Sequence, residues 1–168
     1  GIDRGASGPL AHDGGGGDGA GWRFAVGDSP AYAAPGFDDA GWEAIRVDRI
    51  WEEQGHDPLD GTCRYRLRVT IPARLRDAAH LRDGLRIFLG RINNFDQAFL
   101  NGRVFGINGT VVPADTPLDD AYTKAAMELW NVERVYVLPP DDERIRWGEE
   151  NVLAVRVFDQ GGQGGLWS

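Results

Sequence analysis

The amino-acid sequence predicts an all-β fold, an antiparallel β-sandwich of the jelly-roll kind, and three observations carry that expectation. Seven or eight short runs place apolar residues at every second position, the spacing that gives a pleated strand one apolar and one polar face. Clusters of Gly, Pro, Asp and Asn punctuate the chain between those runs, as turns require. Only residues 73–83, ARLRDAAHLRD, hold enough helix formers for a few turns, so the strand–helix alternation of a parallel sheet is missing. At 168 residues the natural count is one domain, large enough to bury roughly two thirds of the surface its unfolded chain exposes.

Residues 1–21, GIDRGASGPLAHDGGGGDGAG, contain nine glycines and almost no large apolar side chain. Such a segment cannot offset the entropy of ordering; it is expected to be a linker or disordered tail ahead of a domain spanning 22–168. WRFAV (22–26) and WEAIRV (42–47) are the first strand candidates, and PGFDDAGWE (35–43) reads mainly as turns entering the second. CRYRLRVTI (63–71) is the clearest half-buried strand, with Cys63, Tyr65, Leu67, Val69 and Ile71 on one face and Arg64, Arg66, Arg68 and Thr70 on the other. LRIFL (85–89) and DQAFL (96–100) follow. In LNGRVFG (100–106) the pair Asn101-Gly102 predicts a two-residue hairpin turn, because both central positions of that turn need positive φ. RVYVL (134–138) and NVLAVRVF (151–158) complete the strands. The loop DQGGQGG (159–165) then runs into Leu166, Trp167 and Ser168, and the sequence leaves two expectations open there, a next element beyond it or a plain glycine-rich terminus.

Composition excludes several functions. With 26 acidic against 18 basic residues and a net charge of −8, neither a nucleic-acid backbone nor an anionic membrane is an expected partner, and a neutral one fits better. Cys63 is the only cysteine, which leaves no intramolecular disulfide, multi-thiolate zinc site or paired-thiol motif. No run approaches the ~20 apolar residues of a spanning helix, and the N-terminus lacks the charged start and apolar middle of a signal peptide.

Four phrases, GWEAIRVDRIWEEQG (41–55), DGTCRYRLRVTIP (60–72), LGRINNFDQAFLNGRVFG (89–106) and NVLAVRVFDQGGQGG (151–165), together resemble the galactose-binding-like jelly roll. That is the sugar-binding domain of glycoside hydrolase family two enzymes and the related domain of sialate O-acetylesterases. The resemblance runs from about Trp22 to Gly165. It implies a usually non-catalytic domain that packs against an adjacent catalytic domain in a longer chain and in some members binds sugar, within an extracellular or periplasmic bacterial protein. The sequence departs from the pattern at Asn93 and Asn94, where relatives often carry aspartates, and so lacks two negative charges there.

Carbohydrate recognition needs flat aromatic faces for the C–H side of a sugar ring and planar polar groups for its hydroxyls. Trp51, His56, Tyr122 and Trp130 lie outside the clearest strands, beside Glu52, Glu53 and Gln54, and form the expected platform. The alternative for Trp51 and Trp130 is that they cap the sandwich core. Asp159 and Gln160 add polar groups from the loop that resembles one placed near the catalytic neighbour in relatives. Asp96 shares a face with Ala98 and Leu100, so its carboxylate is expected to turn inward as a structural ion pair with Arg134 or Arg156, or as a turn anchor near Asn101; if Gln97, Phe99 and Asn101 form the core face instead, Asp96 points to solvent or to a site.

No cofactor is expected. Calcium is the alternative, with Asp28, Asp38, Asp39 and Asp159 as hard-oxygen ligands, although no spacing matches a twelve-residue calcium loop. A competing catalytic reading comes from Gly27-Asp28-Ser29 and Asp77-Ala78-Ala79-His80, which resemble the nucleophile and Asp-x-x-His blocks of a serine esterase family. It requires Ser29 near His80 with Asp77 orienting the imidazole. His80 sits mid-chain between apparent strands, whereas such a triad belongs to a parallel sheet wrapped by helices.

Overall fold

The computed structural model describes residues 21–78, 83–113 and 128–167. The expected tail before Gly21, and the candidates His80 and Tyr122, lie outside the described residues. Among those residues the strands are β1 (Arg23–Val26), β2 (Glu43–Ala44), β3 (Gly61–Thr70), β4 (Leu85–Asn93), β5 (Phe95–Leu100), β6 (Arg103–Asn108), β7 (Glu133–Leu138), β8 (Glu150–Asp159) and β9 (Gly165–Trp167). They form a six-stranded sheet in the order β2-β1-β3-β8-β5-β6 and a three-stranded sheet in the order β7-β4-β9. Every pairing is antiparallel, and the two sheets stack as a sandwich. No helix among the described residues is long and apolar enough to cross a membrane.

β3 and β8 pair along their whole lengths, from Gly61 opposite Asp159 to Thr70 opposite Glu150. Period two turns Cys63, Tyr65 and Leu67 of β3, Leu153, Val155 and Val157 of β8, and Ala98 and Leu100 of β5 into the space between the sheets. Ile87, Leu89 and Ile92 of β4, Leu138 of β7 and Leu166 of β9 belong to the same apolar core. The chain changes sheet at Asn94, where β4 of the small sheet gives way to β5 of the large one. β5 then returns as β6 through Asn101 (φ 50°) and Gly102 (φ 84°), with Leu100 opposite Arg103. Both turn residues are left-handed, as the Asn-Gly pair required.

Two details differ from the sequence reading. Residues 166 and 167, read as the end of a glycine-rich loop, form the strand β9 against Ile92 and Arg91 of the small sheet. The polar face of β3 is also not a solvent face. Arg64 and Arg66 are buried, because loop 27–42 lies over that side of the large sheet and ties down both guanidinium groups.

Candidate functional site

At one end of the sandwich the turn at Trp51–Gln54 meets the glycine-rich loop after β8. The Trp51 amide donates to the Gly164 carbonyl at 3.1 Å, and the Gly164 amide donates to both Glu52 carboxylate oxygens at 2.9 and 3.1 Å. A Cβ at Gly164 would lie 2.1 Å from Trp51 Cζ2 and 2.5 Å from Asp159 Oδ2, so only glycine lets the loop close this tightly. Asn93 and Asn94 complete the knot. The Asn93 carboxamide donates to the Gln163 carbonyl, and Asn94 Oδ1 accepts from the Gln160 amide at 3.0 Å. An aspartate at position 93 has no N–H to give to that carbonyl.

Trp51 is corrected as a platform residue. It is 0% exposed, its ring is 6.0 Å from that of Phe24, and Gly164 presses on the indole, so no face is left for a sugar. It caps the core. Asp159 is also fully buried. Burial pushes its carboxyl up to about 7, the negative charges of Asp60 and Glu52 push the same way, and the hydrogen bond from the Gly161 amide is the largest opposing effect. A fully buried acid facing into a closed loop is a structural group here, not a sugar contact.

The remaining platform candidates are scattered. His56 packs on Phe24 at 4.9 Å between ring centroids and bonds the Glu43 carboxylate, which ties its imidazole to β2. Gln160 is partly buried in the knot. Trp130 is 46% exposed, next to Leu129, which packs on the small cluster of Phe95, Val112 and Phe158 on the outer side of the large sheet. Trp51 and Asp159 meet at Gly164, and His56 lies beside Trp51, its ring sharing Phe24 and its amide donating to the Trp51 carbonyl at 3.2 Å, whereas Trp130 belongs to neither contact.

The polar residues assigned to structure are tied into it. Arg134 Nε donates to Asp96 Oδ1 at 2.8 Å, and both side chains are fully buried. The other Arg134 N–H groups donate to the carbonyls of Ile92 and Asn94, each at 3.0 Å, to that of Leu129 at 2.7 Å and to that of Val132. Burial pushes the Asp96 carboxyl above its ordinary range, and the Arg134 charge is the main force opposing that rise. The pair joins β5 to β7 across the core and presents nothing to a ligand. Asn101 donates to the Arg144 carbonyl at 2.7 Å and to Asn151 Oδ1 at 2.9 Å, fastening the hairpin to the loop before β8. Arg156 pairs with Asp28 at 2.9 Å, not with Asp96.

The esterase constellation has no support in the described geometry. Ser29 caps a short 3₁₀ turn, its hydroxyl accepting from the Ala31 amide at 3.3 Å, while Asp28 bridges Arg64 and Arg156. The calcium set is likewise dispersed: Asp28 serves those two arginines, Asp39 bonds Arg66 at 2.7 Å, and Asp38 caps Ala40. Among the described residues no group of three or more His, Cys, Asp or Glu side chains is placed to hold a metal ion.

One feature lay hidden in the stretch read as turns, 35–43, and the short 3₁₀ turn Pro30–Ala33 just before it. Tyr32, Phe37 and Trp42 form a ring cluster with centroids 5.0, 5.0 and 5.5 Å apart. All three are half-buried at the surface and belong to neither apolar core cluster. The available signal was three aromatic residues within one Pro- and Gly-punctuated loop that showed no strand periodicity.

These features define an antiparallel β-sandwich with loops tied down at its end and along one face. No protein-family model matches the chain, and no curated protein matches it. Solved structures share its fold. A glycosyl hydrolase family 2 member from Bacteroides cellulosilyticus superposes with a TM-score of 0.64 at 18% identity over 89% of this chain. Bacteroides uniformis β-glucuronidase 2, covalently bound to cyclophellitol-6-carboxylate aziridine, gives 0.63 at 19% identity over 89%. A β-glycosidase from Bacteroides vulgatus gives 0.57 at 18% over 86%. The chain spans only 19%, 16% and 18% of those three proteins. It therefore has the fold of a small part of these larger proteins.

Proposed function

We propose that this chain is a non-catalytic accessory domain of a polysaccharide-processing enzyme, a glycoside hydrolase or carbohydrate esterase acting outside the cell or in the periplasm, and that it recognises glycan without breaking a bond. The disproportion of the structural likeness carries this reading: 89% of this chain against 19% of the family 2 member. The fate of the reactive side chains supports it. Ser29, Asp28 and Asp96 are engaged in capping and ion pairing, which leaves none of them poised for nucleophilic or acid–base work. Recognition then rests on ring stacking and hydrogen bonds, which suit a neutral ligand and an acidic protein.

A second reading has its own observation. Val135 and Val137 on the outer side of β7 are 50% and 45% exposed, beside Phe88 and Arg86 of β4, an apolar face suited to packing against an adjacent catalytic domain. Titration calorimetry against a broad panel of plant, algal and host oligosaccharides separates the two. Weak binding is expected if the domain recognises glycan; silence across the panel leaves the packing module. The chain is expected to leave acetyl esters intact, and turnover abolished by Ser29→Ala would overturn the non-catalytic assignment.

A further inference from the structure

We infer that the ring cluster of Tyr32, Phe37 and Trp42 is a saccharide-binding surface, an inference that rests on the glycan-recognition reading above and names where recognition occurs. The loop that carries the rings is fixed from below. Arg66, 0% exposed, bonds Asp39 at 2.7 Å and donates to the carbonyls of Tyr32, of Ala34 at 3.0 Å and of Phe37 at 3.3 Å. Its guanidinium also lies 5.4 Å from the Phe37 ring centroid. One buried cation thus sets the backbone at several points of the loop, so the rings are held in place before any ligand arrives, which lowers the ordering cost of binding.

The rings keep the chemistry that a sugar needs. Neither the Tyr32 hydroxyl nor the Trp42 indole N–H meets a hydrogen-bond partner among the described residues, and neither is a sealed buried group. An amphipathic ring with a polar edge is suited to meeting the apolar face of a pyranose while bonding its rim hydroxyls, although the Tyr32 hydroxyl also lies within electrostatic reach of Arg64. Planar polar side chains flank the cluster: Arg68 is 37% exposed and donates to the Phe37 carbonyl at 2.9 Å, and Asp38 is exposed on the same loop. With a net charge of −8, the protein disfavours an acidic polymer, which assigns the surface to neutral oligosaccharide.

The test is calorimetric titration of the full chain with neutral gluco-, xylo-, manno- and galacto-oligosaccharides, using wild type, Trp42→Ala, Tyr32→Phe and Trp130→Ala, with melting curves confirming that each variant folds. Wild type is expected to bind at least one series. Trp42→Ala is then expected to weaken binding about tenfold or more and Tyr32→Phe about threefold, as loss of a ring contact and of one hydrogen bond imply, and binding lost in Trp130→Ala alone would return the site to Trp130 and overturn this assignment. If wild type binds but Trp42→Ala and Tyr32→Phe bind equally well, this surface is not the site, although glycan recognition survives. If wild type binds no saccharide, the glycan reading fails and the surface assignment fails with it. Trp42-dependent binding of a proline-rich peptide in place of any saccharide would overturn the ligand class.

Discussion

Trp51 and Trp42 are separated by one short stretch of chain, yet the fold uses them in opposite ways. Trp51 is sealed between Phe24 and Gly164, and its backbone is zipped to the loop after β8. Trp42 stands half-buried with two other rings on a loop whose backbone, not its rings, is anchored by a buried arginine. In both regions a charged side chain draws a loop inward, Glu52 in one and Arg66 in the other. What differs is the side from which each loop is held. Glu52 holds a loop over its neighbouring ring, whereas Arg66 holds a loop beneath its rings. Acids and amides beside a tryptophan therefore indicate a fastened loop and do not by themselves indicate an open binding face.

Mutations can break or sharpen that contrast. The largest effect belongs to Trp51→Ala, which empties a fully buried volume and is expected to cost about 3–5 kcal/mol in urea unfolding. A cost near zero would mean that the indole is not sealed. Close behind comes Arg66→Met, which leaves Asp39 only its 3.5 Å contact with Arg68 and takes the side-chain donor from the Tyr32 carbonyl, for a loss of about 3 kcal/mol. The near-ultraviolet circular dichroism of the ring cluster is expected to collapse with it, and an unchanged spectrum would show that the rings do not depend on this anchor.

Asp159 separates the two regions by pH. Its carboxyl sits at about 7 in the folded chain against an ordinary value of 3.8, so the native state holds the proton more tightly than the unfolded chain. That contribution to stability is full below about pH 4 and is lost as pH rises toward 7, by about 2–4 kcal/mol. Melting temperatures of wild type and Asp159→Asn between pH 4 and 8 are expected to diverge, with wild type losing more ground as pH rises. Parallel profiles would remove Asp159 from the account. The smallest effect is that of Trp42→Ala, within about 1 kcal/mol of wild type, because its ring supports no part of the core.

Much of the fold was legible because a period of two leaves a mark on even a short run. CRYRLRVTI, NVLAVRVF and the Asn101-Gly102 turn lie where the pattern put them. Asp96 was readable for the same reason, since a carboxylate on the face of Ala98 and Leu100 must find a cation inside. β9 was not readable, because the three residues of Gly165–Trp167 carry no period. Nor was the covered side of β3. Alternation marks Arg64 and Arg66 as polar but is silent about the loop above them, and Asp28 reaches Arg64 and Arg156 from 36 and 128 positions away in sequence. The ring cluster escaped because its members come from turns, where proximity depends on a distant arginine and not on spacing.

The contrast between the two tryptophans is open to direct observation through their indole N–H resonances. In a nitrogen–proton correlation spectrum of the full chain, with the six tryptophan signals assigned from Trp→Phe variants, addition of a neutral oligosaccharide is expected to shift the Trp42 indole while the Trp51 indole stays in place and resists solvent exchange. A shift at Trp51 with Trp42 unmoved would contradict the account.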